Sequence, residues 1–487
     1  MERIERITTG VPGLDRLLDG GLRAGALHLI AGPPGTGKTV LAHQIGSHVA
    51  RSGETVLYLT ALVESHRSLQ SQARQFEFFE ASWVGRSFYY TSLYTDLLER
   101  GVAGVGTAIA GLVREHAPKL VVIDGLHVIK AAARGAFDFA RLMNEIQTLG
   151  ALGGPTILAI ANVVEERPGG DEFTLSDGIL RLAHERSGRG MIRTIEIRKL
   201  RGGNPLPGAN TFTISLAGIH VYPRLEGRVG REGLPPRTPD KGMLRFDIPG
   251  LDAMLGGGVG AASTTLILGV PGSAKTLIGL SFAAGGTRDG PALFVGFHET
   301  PDRLVEKAEH IGIGMRAAVD EGRTHILWKP SVELVVDPVI EEVLDFVDRH
   351  GVRRLVIDGL DDVVRMLGLE GRLTALTNAF TGILRSRGVC TVLTQESRTL
   401  FGLEFQLPVA EVSAAIDNIL LLRYVELRAR LRRLASVLKV REHDYDPRIR
   451  EFDITDRGIQ VGEPLAEAEA VLSGLGRVTE PRRGGGG

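Results

Sequence analysis

Three things are scarce in this chain. A single cysteine, Cys390, stands among 487 residues, which excludes an intramolecular disulfide. Its apolar setting, Val389-Cys390-Thr391-Val392-Leu393, reads as core. Excess charge is also missing: 57 Lys and Arg against 58 Asp and Glu leave a formal net charge of −1. No whole-molecule field therefore recruits nucleic acid, although a local basic groove stays open. Long apolar stretches are absent too. None approaches the length of a membrane span, and the opening Met1-Glu2-Arg3-Ile4-Glu5-Arg6 has no apolar signal region. A soluble, cytoplasmic protein without membrane contact is expected.

What the chain has in abundance is repetition. Gly32-Pro33-Pro34-Gly35-Thr36-Gly37-Lys38-Thr39 fits the phosphate-binding pattern G-x-x-x-x-G-K-[ST]. Gly269-Val270-Pro271-Gly272-Ser273-Ala274-Lys275-Thr276 fits it at every fixed position but one, where Ala274 replaces glycine. The two lysines are 237 residues apart, and each loop follows a Pro-Gly-Leu-Asp segment, Pro12 to Asp15 and Pro249 to Asp252, at the same distance. A duplicated nucleotide-binding domain follows, with 43% hydrophobic residues to fill two cores. Glycines let backbone N–H groups curl around phosphate at a helix N-terminus, the lysine reaches the β- and γ-phosphates, and the threonine hydroxyl coordinates magnesium. Apolar runs before the loops, Leu27 to Ala31 and Thr265 to Leu268, read as buried strands, and Val40 to Ile45 and Leu277 to Leu280 read as helices.

The repeat extends to the other elements. Lys119 to Asp124 and Arg353 to Asp358 are apolar strands that end in an aspartate and continue Gly-Leu. Such a carboxylate would hold magnesium at the carboxyl edge of a parallel sheet. Val56 to Thr60 leads to Glu64, and Ala292 to Phe297 leads through His298 to Glu299. A glutamate there can position or deprotonate the attacking water. Ile195 to Gly202 and Ser436 to Arg441 place Lys199 with Arg201 and Lys439 with Arg441. On a strand such pairs share a face and call for an anion, a neighbour's γ-phosphate or an ordinary carboxylate.

These motifs, with Asn418-Ile419-Leu420-Leu421-Leu422-Arg423-Tyr424, resemble the KaiC clock ATPases in order and over residues 4 to 461. The resemblance implies an α/β fold of two tandem RecA-like P-loop NTPase domains, each a mostly parallel sheet flanked by helices. It implies a homo-oligomer, a hexamer with ATP and Mg2+ at subunit interfaces, ATP hydrolysis, signalling partners, and autophosphorylation from the second domain. Lys199, Arg201, Lys439 and Arg441 would then complete neighbouring sites. The chain departs from the family in two places. Adjacent glutamates are expected at the catalytic position, but Val63 and His298 stand in place of the first, leaving Glu64 and Glu299. Ser413 matches a phospho-acceptor serine, while Ala414 beside it has no hydroxyl. A DNA-stimulated motor and a nucleotide-gated scaffold are the alternatives.

Composition suggests domains at 1–228 and 244–461, a Gly- and Pro-rich linker at 229–243, and a flexible tail at 462–487. Gln70 to Tyr94 gathers Phe76, Phe78, Phe79, Trp83, Phe88, Tyr89 and Tyr90, read as a packed helix and strand or an aromatic platform for bases. Arg423, Arg428, Arg430, Arg432 and Arg433 cluster on what reads as a solvated or subunit-facing surface.

Overall fold

Leu27 to Gly32 is buried at all six positions, as a strand covered on both faces must be. Leu27, Leu29 and Ala31 pack with Val105, Ile109, Leu142 and Met143 from the helices Tyr94–His116 and Ala136–Ala151. Ile30 packs the other way, with Leu41, Ile45 and Val49. Each fully buried Leu, Ile, Val or Met side chain among these contributes about 1.5–3 kcal/mol of transfer free energy. The computed structural model describes residues 4–62, 66–151, 153–163, 171–187, 190–236, 242–288, 290–330, 335–367, 371–397, 415–427, 430–464, 468–469 and 477–478.

The chain divides into two units, Met1–Arg231 and Glu232–Gly487. In the first, nine strands form one sheet: β1 Leu27–Gly32, β2 Val56–Thr60, β3 Phe88–Ser92, β4 Leu120–Asp124, β5 Thr156–Asn162, β6 Gly178–Ser187, β7 Gly190–Leu200, β8 Asn210–Ser215 and β9 Gly218–Tyr222. Their order is β9-β8-β7-β6-β1-β5-β4-β2-β3. Pairings from β3 across to β6 are parallel, and those from β6 to β9 are antiparallel. β1 is flanked by β5 and β6, so the connections leave it in opposite directions and open a crevice at its carboxyl end.

The second unit repeats the plan with β10 Thr264–Gly269, β11 Ala292–Gly296, β12 Thr324–Trp328, β13 Arg354–Asp358, β14 Cys390–Glu396, β15 Asn418–Leu427, β16 Arg430–Lys439, β17 Arg450–Thr455 and β18 Gly458–Pro464. The order β18-β17-β16-β15-β10-β14-β13-β11-β12 matches the first sheet strand for strand. The Pro-Gly-Leu-Asp segments have the same local task in both units. Asp15 Oδ1 accepts from the Thr9 N–H at 2.9 Å, and Asp252 Oδ1 from the Phe246 N–H at 2.8 Å. Cys390 is buried, and burial pushes its thiol up to about 12.

Several expectations need adjustment. Composition hides a helix, Leu225–Glu232, where the linker was expected to begin; buried Leu225 anchors it. The last strand of the second unit runs past Val461 to Pro464, and Ala468–Glu469 pairs with Arg477–Val478; the other tail residues lie outside the described ones. The aromatic segment packs on itself, with Phe78 and Phe79 buried and Phe79 edge-on to Phe88 and Trp83, as the reading of a packed helix and strand expects. In the arginine cluster, Arg432 pairs with Glu451 at 2.7 Å and Arg433 lies over the Tyr424 ring. Among the described residues no helix is long and apolar enough to cross a membrane.

Candidate functional site

Both P-loops join a strand end to a helix start. β1 ends at Gly32 and α1, Lys38–Arg51, follows; β10 ends at Gly269 and α2, Lys275–Ala284, follows. Gly35 and Gly272 turn the loops through left-handed conformations, φ 79° and 76°. Gly37 is left-handed as well, φ 100° and ψ 13°, and a Cβ there would lie 2.8 Å from Ile214 Cδ1. Ala274 adopts the same backbone, φ 76° and ψ 16°, while carrying a methyl group, at a cost of roughly 1–2 kcal/mol. Thr36 Oγ1 donates to the Pro33 carbonyl at 2.8 Å, whereas the hydroxyl of its counterpart Ser273 is buried without a hydrogen-bond partner among the described residues.

Lys38 Nζ donates to the carbonyls of Gly32 and Pro33 at 2.8 and 2.7 Å. Lys275 Nζ donates to Gly269 and Val270, both at 2.9 Å. Burial lowers both ammonium pKa values, that of Lys38 to about 8, with Asp124 opposing the shift. An ammonium held by neutral carbonyls gains a charge-assisted partner when phosphate arrives.

Asp124 and Asp358 end β4 and β13 beside these loops. Thr39 Oγ1 lies 3.4 Å from Asp124 Oδ2, and Thr276 Oγ1 donates to Asp358 Oδ2 at 2.9 Å. Burial raises both aspartates, and hydrogen bonds oppose it. Each hydroxyl and carboxylate supplies hard oxygen donors, which suits magnesium; that ion needs few protein ligands and keeps water and phosphate oxygens around it. No group of three or more His, Cys, Asp or Glu residues able to hold a metal occurs among the described residues.

Two hydroxyls at this position escaped the sequence reading. Tyr58 donates to Asp124 Oδ2 at 2.8 Å, and Thr394 donates to Asp358 Oδ1 at 2.6 Å. They come from different strands. Tyr58 sits on β2, where the second sheet has Phe294; Thr394 lies beside Asp358 on β14, where the first sheet has Ile160.

In the second unit the loop opens on a cleft of about 970 Å³ lined by Lys275, Thr276, His298, Glu299, Asp358 and Glu396, among others. Glu299 accepts from Lys307 Nζ at 2.6 Å. Glu64 and Ser413 lie outside the described residues.

The Lys-x-Arg pairs sit elsewhere. Lys199 and Lys439 are strand residues, but the strands end at Leu200 and Lys439, so Arg201 and Arg441 are beyond them rather than on a shared strand face. Lys199 Nζ donates to the carbonyls of Phe173 and Thr174, and Arg201 lies 3.4 Å from Asp177. Lys439 donates to Ile416 O at 2.6 Å, and Arg441 lies 3.3 Å from Asp417. Asp177 bonds the backbone of Leu27 and Asp417 that of Thr264, the first residues of β1 and β10. The cations thus gather at the opposite end of each strand from the P-loop of the same chain.

A family model for KaiC ATPases matches residues 7–226 and 244–466. The chain belongs to the KaiC ATPase family. Circadian clock protein KaiC3 of Synechocystis sp. is 27% identical over 493 residues, covering 97% of this chain and 94% of the relative. Circadian clock oscillator protein KaiC of Prochlorococcus marinus (strain MIT 9313) is 26% identical over 497 residues, covering 99% and 97%. KaiC of Thermosynechococcus vestitus is 26% identical over 498 residues, covering 97% and 92%. The KaiC family match spans both P-loop units, so the duplication read from the two loops is a property of whole domains.

Proposed function

We propose that both domains bind ATP with Mg2+ and hydrolyse it, and that turnover serves a regulatory role in a homo-oligomer, a hexamer by family resemblance. The observation that carries this reading is the coupling, made twice, of a P-loop threonine to a buried strand-end aspartate: Thr39 to Asp124 and Thr276 to Asp358. Lys38 and Lys275 would bind the β- and γ-phosphates, and the N-termini of α1 and α2 would add backbone N–H donors. Thr39 with Asp124 and Thr276 with Asp358 would hold magnesium, which neutralises charge on the phosphate oxygens when bound. The acid after the second strand, Glu64 or Glu299, would help to orient the attacking water.

Turnover by the purified full chain tests this. Lys38→Ala with Lys275→Ala should abolish phosphate release, and duplex or single-stranded DNA should not stimulate it. ATP that stays bound and intact in the unaltered protein would favour a nucleotide-gated scaffold instead.

A further inference from the structure

Asp362 lies one turn past Asp358, on the helix Leu360–Met366, and is 1% exposed. A buried carboxylate is costly unless it is paired and hydrogen-bonded. Here Oδ1 accepts from Arg365, and Oδ2 lies 2.9 Å from His298 Nε2. Gly359 makes room for it: at φ 125°, a Cβ would sit 2.6 Å from Asp362 Oδ2. A carboxylate in that place fixes Nε2 as the protonated ring nitrogen and leaves the Nδ1 lone pair as an acceptor. The His298 side chain is 65% exposed and lines the cleft that also holds Lys275 and Thr276. Its neighbour Glu299 is engaged by Lys307.

The first domain provides an internal comparison. Counting from the strand-end aspartates, Asp362 and Arg365 correspond to Val128 and Ala131, and the residue before Glu64, corresponding to His298, is Val63. Histidine, aspartate and arginine occur together in one domain and are all missing from the other. A purely structural Asp362 would have an apolar substitute that this same fold already uses.

We propose that His298, oriented by Asp362, is the catalytic base of the second domain, an assignment that rests on the hydrolytic reading above. His298 Nδ1 takes a proton from water as the water oxygen bonds to the γ-phosphorus. The bond from that phosphorus to the bridging oxygen breaks, its electron pair leaves with ADP, and inorganic phosphate is released. Asp362 holds the imidazolium until the proton passes to solvent, the logic of an acid-oriented histidine. Among the described residues, the titratable groups that share the cleft with His298 are Asp361, Asp362 and Arg365 from one helix, Glu299, Arg303, Glu306, Lys307 and His310 from the segment after β11, and Lys275, Asp358 and Glu396 from the loop and strand ends.

The test uses the full chain. The turnover lost in Lys275→Ala defines the second-domain share. His298→Gln should lower that share about 100-fold while ATP still binds there within about 2-fold, and should remove the acid limb of its pH–rate profile. Asp362→Asn should displace the limb, and His298→Glu should recover part of the rate with the limb moved to lower pH. If Lys275→Ala removes turnover but His298→Gln changes neither rate nor profile, the base assignment fails and the hydrolytic reading stands. If Lys275→Ala leaves turnover untouched, second-domain hydrolysis fails and the base falls with it. The His298 side chain is exposed, so His298→Gln decides the matter even where Asp362→Asn misfolds.

Discussion

Tyr58 and Asp124 are joined across adjacent strands by a 2.8 Å hydrogen bond inside the first domain, where Tyr58 is fully buried. Thr39 reaches the same oxygen only at 3.4 Å, so the tyrosine is the firmer of the two holds on this carboxylate. Tyr58→Phe should cost only about 1 kcal/mol in stability, because Phe294 fills the matching place in the second sheet. The magnesium requirement of first-domain turnover should nevertheless rise about 10-fold or more, the usual effect of losing a group that orients a metal ligand. Metal titration of turnover checks this, with Thr394→Val as the second-domain counterpart. An unchanged requirement in Tyr58→Phe would reduce the bond to packing.

Ala274 and Gly37 share a left-handed backbone but differ in what surrounds the missing or present methyl. Ala274→Gly relieves roughly 1–2 kcal/mol of strain and adds chain entropy worth roughly 0.4–1 kcal/mol, so stability should change by about 1 kcal/mol or less. Gly37→Ala gains the strain and also drives a methyl into Ile214, so it should cost clearly more. Denaturant titration of both variants compares them directly, and equal effects would remove the role given to Ile214.

Acid should weaken the first domain before the second. Burial depresses His28 and His43 from 6.5 to about 4, and the matching positions of the second domain are Thr265 and Leu280. The unfolded chain binds these protons first, so the stability they confer is complete above pH 6.5 and is lost as pH falls towards 4. The loss is on the order of 3 kcal/mol for each histidine. The raised aspartates act in the opposite sense, Asp124 in the first domain and Asp252 and Asp358 in the second; His325, lowered by burial and by His350, acts with the first-domain pair but is less enclosed, so the contrast stays in place. The two tryptophans, Trp83 and Trp328, report on separate domains. With Trp328→Phe, Trp83 fluorescence in urea should show a lower midpoint at pH 5 than at pH 7, and His43→Leu should flatten that difference. The same loss seen through Trp328 would count against the histidines as its source.

The cation pairs lie at the far end of their own strands. From Thr264 to Gly269 the strand advances about 17 Å, so Lys439 and Arg441, gathered around Asp417, do not serve the P-loop of their own chain. If they serve a neighbour, Arg441→Ala should lower second-domain turnover at least about 10-fold with little change in ATP affinity. Mixing Arg441→Ala chains with Lys275→Ala chains should restore part of the activity at mixed interfaces. No recovery, with subunit exchange demonstrated, would leave the pairs a structural task at Asp417.

The P-loops, the strand-end aspartates and the duplication were legible in the sequence because each is local. Phosphate binding needs glycines, lysine and threonine within eight consecutive residues, and a buried parallel strand announces itself as an unbroken apolar run, as in Leu120 to Asp124. Periodicity also placed β2 at Val56 to Thr60, where it stands. The partners of those aspartates were another matter. Tyr58 meets Asp124 across 66 residues and Thr394 meets Asp358 across 36, through sheet register alone. His298 and Asp362 look in sequence like a family departure and an ordinary helix acid, 64 residues apart. Register between neighbouring strands depends on the whole sheet's packing, and a one-residue slip would turn every side chain to the other face. Only the folded sheets decide which hydroxyl, ring or carboxylate completes each site.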